Sequence, residues 1–239
     1  MVFSSHNRLY EIFRKYQPKN GLYSIYGNFG VGKTTLALQL SLFSVLKEND
    51  VIYFYTKPNF PYNKLFKTTQ THEILDINFL TSHLNLLLIN TFSQLYTSIL
   101  NLEFIFLNKN EGDIIPKMLV IDSLTDLYRL ELNSKDVERN VRLNYQLNQI
   151  LATLVYLKQN YTLDILIINE SSKKTAIGEI KEVQAGGSVM EYWVTRSMKI
   201  ERTNVINKRK LIIKKINDKT PIEIFSTLTN NGFQLEPHT

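Results

Sequence analysis

Leu22-Tyr23-Ser24-Ile25-Tyr26-Gly27-Asn28-Phe29-Gly30-Val31-Gly32-Lys33-Thr34-Thr35-Leu36-Ala37-Leu38-Gln39-Leu40 carries a strand, a tight turn and the start of a helix, in that order. Leu22–Tyr26 reads as a short strand. Thr34–Lys47 reads as a helix, because Leu36, Leu40, Phe43 and Leu46 recur at helical spacing. Between them, Gly27-Asn28-Phe29-Gly30-Val31-Gly32-Lys33-Thr34 satisfies G-x-x-x-x-G-K-[ST]. Four of the nine glycines fall within Gly21–Gly32, so left-handed backbone is a local need of this loop. Such a loop turns successive backbone N–H groups toward phosphate oxygens, and the helix that follows adds its positive dipole end. The motif assigns Lys33 to the β- and γ-phosphates and the Thr34 hydroxyl to Mg²⁺, with Thr35 beside them.

Outward from the loop, strands and helices alternate. Val51–Tyr55, Leu86–Asn90, Met118–Asp122 and Ile165–Asn169 read as strands. Gln94–Leu107 reads as a helix, and Ser134 as the N-cap of a long helix bearing Leu143, Leu147, Ile150, Leu151 and Leu154. Nearly continuous apolar strands suit a parallel sheet covered on both faces. After Trp193 the rhythm changes: Arg196–Glu201, Lys210–Ile216 and Ile222–Ser226 read as strands with short turns, an antiparallel end to the sheet. The expected fold is α/β, a mostly parallel twisted sheet flanked by helices with an antiparallel C-terminal extension. Asp122, closing an apolar strand after the phosphate loop, is the expected second metal residue, acting through water.

Composition narrows the rest. The chain has 239 residues, with 44% hydrophobic and 21% charged, which is globular usage. Cysteine is absent, which excludes a disulfide scaffold, a thiolate metal site and a thiol nucleophile. Met1–Tyr10 does not read as a signal peptide, because His6, Asn7 and Arg8 interrupt any apolar core, and Ile77–Leu102, though free of Asp, Glu, Lys and Arg, reads as too polar to span a membrane. A cytoplasmic protein without a membrane partner is expected. The net charge of +6 tilts the partners toward nucleic acid.

Asp122-Ser123-Leu124-Thr125-Asp126-Leu127-Tyr128-Arg129 resembles the D-S-L/I-T-x-x-Y/F-R segment of the RecA superfamily, and of its archaeal RadA/RadB branch most closely. Gly27–Leu40 resembles the same family's phosphate loop, and Gly186-Gly187-Ser188-Val189-Met190-Glu191-Tyr192-Trp193 is similar to a G-G-x-x-L-E-Y-W of that branch. The resemblance runs from about Tyr23 to Gly232. It implies a RecA-like P-loop NTPase core that binds ATP and Mg²⁺ through Gly27, Asn28, Phe29, Gly30, Val31, Gly32, Lys33, Thr34 and Thr35, with Arg129 near the nucleotide. It also implies a role in homologous recombination, with single-stranded DNA and a RadA-type recombinase or another paralogue as partners. A single domain over 1–239 is expected, with 1–20 as a short extension and no separate N-terminal DNA-binding domain. Residues 1–20 also contain no Phe-x-x-Ala motif, which favours a RadA-paralogue accessory role over a filament-forming enzyme.

Two departures bear on chemistry. Where the family places a water-orienting Glu after the second strand, this chain has Tyr55-Thr56-Lys57-Pro58, so Lys57 takes that position. An ammonium is donor-only and accepts no proton from water. Where the family has T-N-Q, this chain has Ile168-Asn169-Glu170, so an acid replaces the γ-phosphate sensor unless Lys57 or a metal pairs with it. ATP binding with slow or no hydrolysis is expected. For DNA, the family's mobile loop corresponds to Glu170–Ala185, with Lys173, Lys174 and Lys181. The stretch Arg196–Lys219 holds nine Lys or Arg against Glu201 and Asp218, and Lys208, Lys210 and Lys214 can share a strand face. That face reads also, and somewhat better, as a solvated rim guarding a sheet edge. A nucleotide-gated module of the KaiC-like or archaellum-regulator kind, without a DNA role, is the alternative; a small-molecule kinase is disfavoured because no lid rich in Arg follows the last helices of this chain.

Overall fold

A computed structural model describes residues 4–70, 77–108, 115–176, 179–215 and 220–236, with side chains placed in these segments except at 4–7, 70, 174–176 and 179–181. The strands are β1 (Leu22–Gly27), β2 (Val51–Tyr55), β3 (Leu84–Leu88), β4 (Met118–Asp122), β5 (Asp164–Ala176), β6 (Glu179–Gln184), β7 (Val194–Arg202), β8 (Lys208–Lys215), β9 (Ile222–Thr229) and β10 (Gly232–Leu235). The helices are α1 (Ser4–Lys15), α2 (Lys33–Val45), α3 (Tyr62–Gln70), α4 (Ile77–His83), α5 (Phe92–Leu100), α6 (Leu102–Leu107), α7 (Thr125–Glu131), α8 (Val137–Tyr161) and α9 (Gly187–Trp193).

The strands form one sheet in the order β10-β9-β8-β7-β1-β5-β4-β2-β3, with β6 paired to the outer part of β5. β1 lies between β5 and β7 and is parallel to both. β4 and β2 continue the parallel part, which ends at β3. β8, β9 and β10 run antiparallel in turn. This is the expected α/β architecture, with the antiparallel extension beginning one strand later than expected: β7 is parallel on its β1 side.

Strands buried on both faces divide their side chains between two cores. Tyr23, Ile25, Val120, Leu166 and Ile168 meet α1 and α2 on one face. Leu119, Ile121, Ile165 and Ile167 meet α5 and α8 on the other. This is why these strands lack polar alternation. Helix α2 is buried along nearly its whole length. Residues 1–20, expected only as an extension, include α1, whose Leu9, Tyr10 and Phe13 belong to the first core.

Several boundaries differ from the sequence reading. The third strand covers Leu84–Leu88, because its register with β2 pairs Val51 with Leu84 and Tyr55 with Leu88. The helix expected over Gln94–Leu107 is two helices meeting at Asn101. The cap of α8 is Asp136, whose carboxylate accepts from the Arg139 N–H at 2.9 Å, while Ser134 lies in the turn before it. Glu170–Ala185, expected as a loop, contains the β5–β6 hairpin, with Ser171 opposite Gln184 and Ala176 opposite Glu179. Its Ser, Thr and Val residues satisfy their backbone by pairing across the hairpin. Among the described residues no helix is long and apolar enough to cross a membrane.

Candidate nucleotide-binding site

The site lies at the carboxyl ends of the parallel strands, where β1 hands over to α2. Gly32 caps that helix at φ 108°, and a Cβ there would stand 2.8 Å from the Phe233 ring. A Cβ on Gly27 would lie 2.5 Å from the Ile200 carbonyl oxygen, so β7 closes directly on the loop. Only glycine meets both demands. Phe29 projects from the loop, 86% exposed, whereas Val31 is buried.

Two arginines brace the loop from the antiparallel extension. Arg209 Nε donates to the Val31 carbonyl at 3.2 Å, and Arg202 Nη2 donates to the Phe29 carbonyl at 3.2 Å. They are cross-strand partners on β8 and β7. Burial, then the neighbouring Arg202, lowers the Arg209 pKa. The sequence reading missed both; the basic stretch that holds them gave no sign that these two turn toward the loop.

Lys33 is 4% exposed. Its ammonium donates to the carbonyls of Gly27 at 2.8 Å and Asn28 at 2.9 Å, and to Glu170 Oε2 at 2.7 Å. Burial lowers its pKa, and Glu170 opposes that shift. Asp122 is fully buried at the end of β4. Its Oδ2 accepts from the Tyr53 hydroxyl at 3.0 Å, and its Oδ1 has no hydrogen-bond partner. Burial raises its pKa; Lys57 and the Thr34 and Tyr53 hydroxyls pull the other way. A buried carboxylate that draws the Thr34 hydroxyl and keeps one oxygen without a hydrogen bond fits the donor set of a hydrated divalent cation.

Lys57 follows Thr56, whose hydroxyl donates to the Ser123 carbonyl at 2.8 Å and accepts from the Ser123 N–H at 2.7 Å. That pair of hydrogen bonds to Ser123, at the end of β4, fixes where Lys57 leaves the sheet. Its Nζ stands 3.2 Å from Glu170 Oε1, 3.6 Å from Asp126 Oδ2 and 3.9 Å from Asp122 Oδ1. Burial pulls its pKa down, but the three carboxylates outweigh burial and raise it. The two charge-altered positions, Lys57 and Glu170, are therefore partners, and Glu170 bridges them to Lys33. Asp126 is the addition that sequence reasoning missed; it sits four residues past Asp122, in the first turn of α7.

Thr35 is buried in the first turn of α2. Arg129 is exposed and lines an open cavity of about 440 Å³ with Thr56, Lys57, Pro58, Asp126 and Leu130. Of the lysines considered for DNA, Lys173 is exposed on β5. The side chains of Lys174 and Lys181 lie outside the described residues. Lys208 pairs with Glu236 at 3.0 Å and Lys210 with Glu223 at 2.7 Å, while Lys214 is exposed. Trp193, at the end of α9, donates through Nε1 to Asn148 Oδ1 at 2.6 Å, tying α9 to α8.

No family model matches the chain. Individual proteins do. The chain is 29% identical over 190 residues to the DNA repair and recombination protein RadB of Methanococcus maripaludis, covering 80% of each chain. To the RadB protein of Methanocaldococcus jannaschii it is 27% identical, covering 82% of this chain and 85% of the other. To that of Methanosphaera stadtmanae it is 25% identical, covering 85% and 82%. With a phosphate loop at the strand ends of a mixed α/β sheet, the chain is a RadB-like relative of these proteins, similar to them over about four fifths of its length.

Proposed function

We propose that this chain is an ATP-binding accessory protein of homologous recombination and DNA repair, a single RecA-like core that binds ATP with Mg²⁺ and hydrolyses it slowly or not at all. The observation that carries the reading is the phosphate loop with Lys33, Thr34 and Asp122 converging on it, while an ammonium held among three carboxylates occupies the place of a water-orienting acid. Lys33 takes the phosphate chain, the loop N–H groups and the start of α2 surround it, and Thr34 with Asp122 holds the cation that offsets its charge. Lys57 stays protonated beside its acids and supplies no base. The nucleotide then acts as a conformational ligand, stabilising one form by differential affinity. Single-stranded DNA and a RadA-type recombinase or another paralogue are the partners that the RadB likeness supports.

Calorimetry with ATP and Mg²⁺, run beside single-stranded DNA binding at two salt concentrations, tests this. Lys33→Ala removes the principal phosphate cation, and ATP affinity falls at least about tenfold. Equal affinity in wild type and variant defeats the site assignment. DNA affinity that drops steeply with salt supports the DNA role. DNA binding that is absent at both salts favours the nucleotide-gated interaction module instead, a reading supported by the pairing of Lys208 and Lys210 with acids.

A further inference from the structure

Glu170 stands where β5 passes from the central sheet to the hairpin: Gly27 pairs with it on one side, and Ser171 opens the pairing with β6. The hairpin meets the phosphate loop and the strand that leads into it at several points. Glu170 Oε2 lies 2.7 Å from Lys33 Nζ. Glu182 Oε1 accepts from Asn28 Nδ2 at 3.2 Å, and Lys199 holds the same carboxylate at 2.9 Å. Gln184 Oε1 accepts from the Ser24 hydroxyl at 2.7 Å. An ammonium has three hydrogens, and those of Lys33 are spent on two loop carbonyls and Glu170. A phosphate oxygen can take Lys33 only if one of them gives way. Glu170 is the anion among the three, so it is the partner a phosphate repels and replaces. It has a second cation ready at 3.2 Å, Lys57.

We propose that the β5–β6 hairpin is an internal competitor of the nucleotide: the Glu170 carboxylate stands on Lys33 in the place of a phosphate oxygen, Glu182 adds a second anionic hold at Asn28, and a polyphosphate binds by displacing Glu170 onto Lys57. The inference rests on the nucleotide reading above. It reverses the usual sense of a residue touching a ligand site, because removing the Glu170 charge strengthens binding.

The test is calorimetry of Glu170→Gln, which keeps the side chain's shape, with ATP and with inorganic tripolyphosphate as probes. ATP and tripolyphosphate both bind about tenfold more tightly than to wild type, and Lys33→Ala in the same background removes the gain. Detectable binding by the variant alone also supports competition, as the extreme case of a closed loop. Unchanged or weaker affinity in a folded Glu170→Gln protein overturns it and leaves the nucleotide reading standing. Binding by neither protein at millimolar ATP defeats the nucleotide reading, and the inference with it. Glu182→Gln, at an exposed position on the other strand, serves if Glu170→Gln does not fold: affinity rises by about threefold, and no rise overturns the proposal.

Discussion

At Lys57, four charges decide what the site can do. A lysine raised in pKa by Asp122, Asp126 and Glu170 remains an ammonium at neutral pH, whatever burial does in the other direction. Hydrolysis in a site of this kind needs a carboxylate to orient water, and general-base help is worth about 10²–10⁴ in rate. Phosphate release by the wild-type protein is therefore expected near background. Lys57→Glu alone places a fourth carboxylate among three and gains little. The double variant K57E/E170Q supplies one acid and one neutral amide at the two altered positions, and it should exceed the wild type by about 10². Robust turnover by the wild type, abolished by Lys33→Ala, would show that a different side chain serves as the base. The sequence shows both altered positions, because each falls at a fixed place relative to a strand end. It does not show that Glu170 also reaches Lys33. That contact depends on β1 and β5 being neighbours, with Gly27 opposite Glu170.

Elements were legible where one period dominated and blurred where a local cap or break intervened. The parallel strands are apolar runs ending at chemically loaded residues, so β1, β2 and β4 fall where the pattern places them. The β5–β6 hairpin does not announce itself, because its polar residues mimic a loop and its pairing is long-range in chemistry though short in sequence. Helix α8 shows the same limit at its start. Ser134 and Asp136 both have capping side chains, and only the backbone decides between them. Asn133 makes the turn: its side-chain oxygen accepts from the Lys135 N–H and its carbonyl from the Asp136 N–H, which leaves Asp136 at the helix entrance. The cap bond to the Arg139 N–H is replaced only by water in Asp136→Ala, and the negative charge near the helix N-terminus is lost as well. That variant should lose about 1 kcal/mol in urea denaturation. Ser134→Ala should stay within about 0.5 kcal/mol of wild type. The reverse order would place the start of α8 two residues earlier.

On the scale of the whole molecule, the charged functional end of the sheet has a counterpart at the opposite end, where α1, α8 and β5 meet. Arg14 Nε pairs with Asp164 at 3.2 Å, and Lys158 Nζ donates to Gln17 Oε1 at 3.1 Å. Burial lowers the Lys158 pKa to about 8, with Asp164 opposing the shift. From about 8 up to the ordinary value of 10.5, the unfolded chain therefore holds a proton on this residue that the folded chain has shed. Stability rises with pH wherever the unfolded state binds more protons, so this contribution is present above 10.5, grows across the window and is lost as pH falls through about 8. The buried tyrosines act with the opposite sign. Burial raises the pKa of Tyr23 and Tyr53, so above their ordinary value of 10.0 they ionise first in the unfolded chain and stability falls. Urea midpoints measured against pH should climb from pH 8 to about 10 and then turn down. Lys158→Met leaves no proton to exchange at this site, so the climb should flatten while the alkaline fall persists. Parallel slopes for wild type and Lys158→Met between pH 8 and 10 would mean that Lys158 keeps its proton in the folded protein, with Asp164 and Gln17 outweighing its burial.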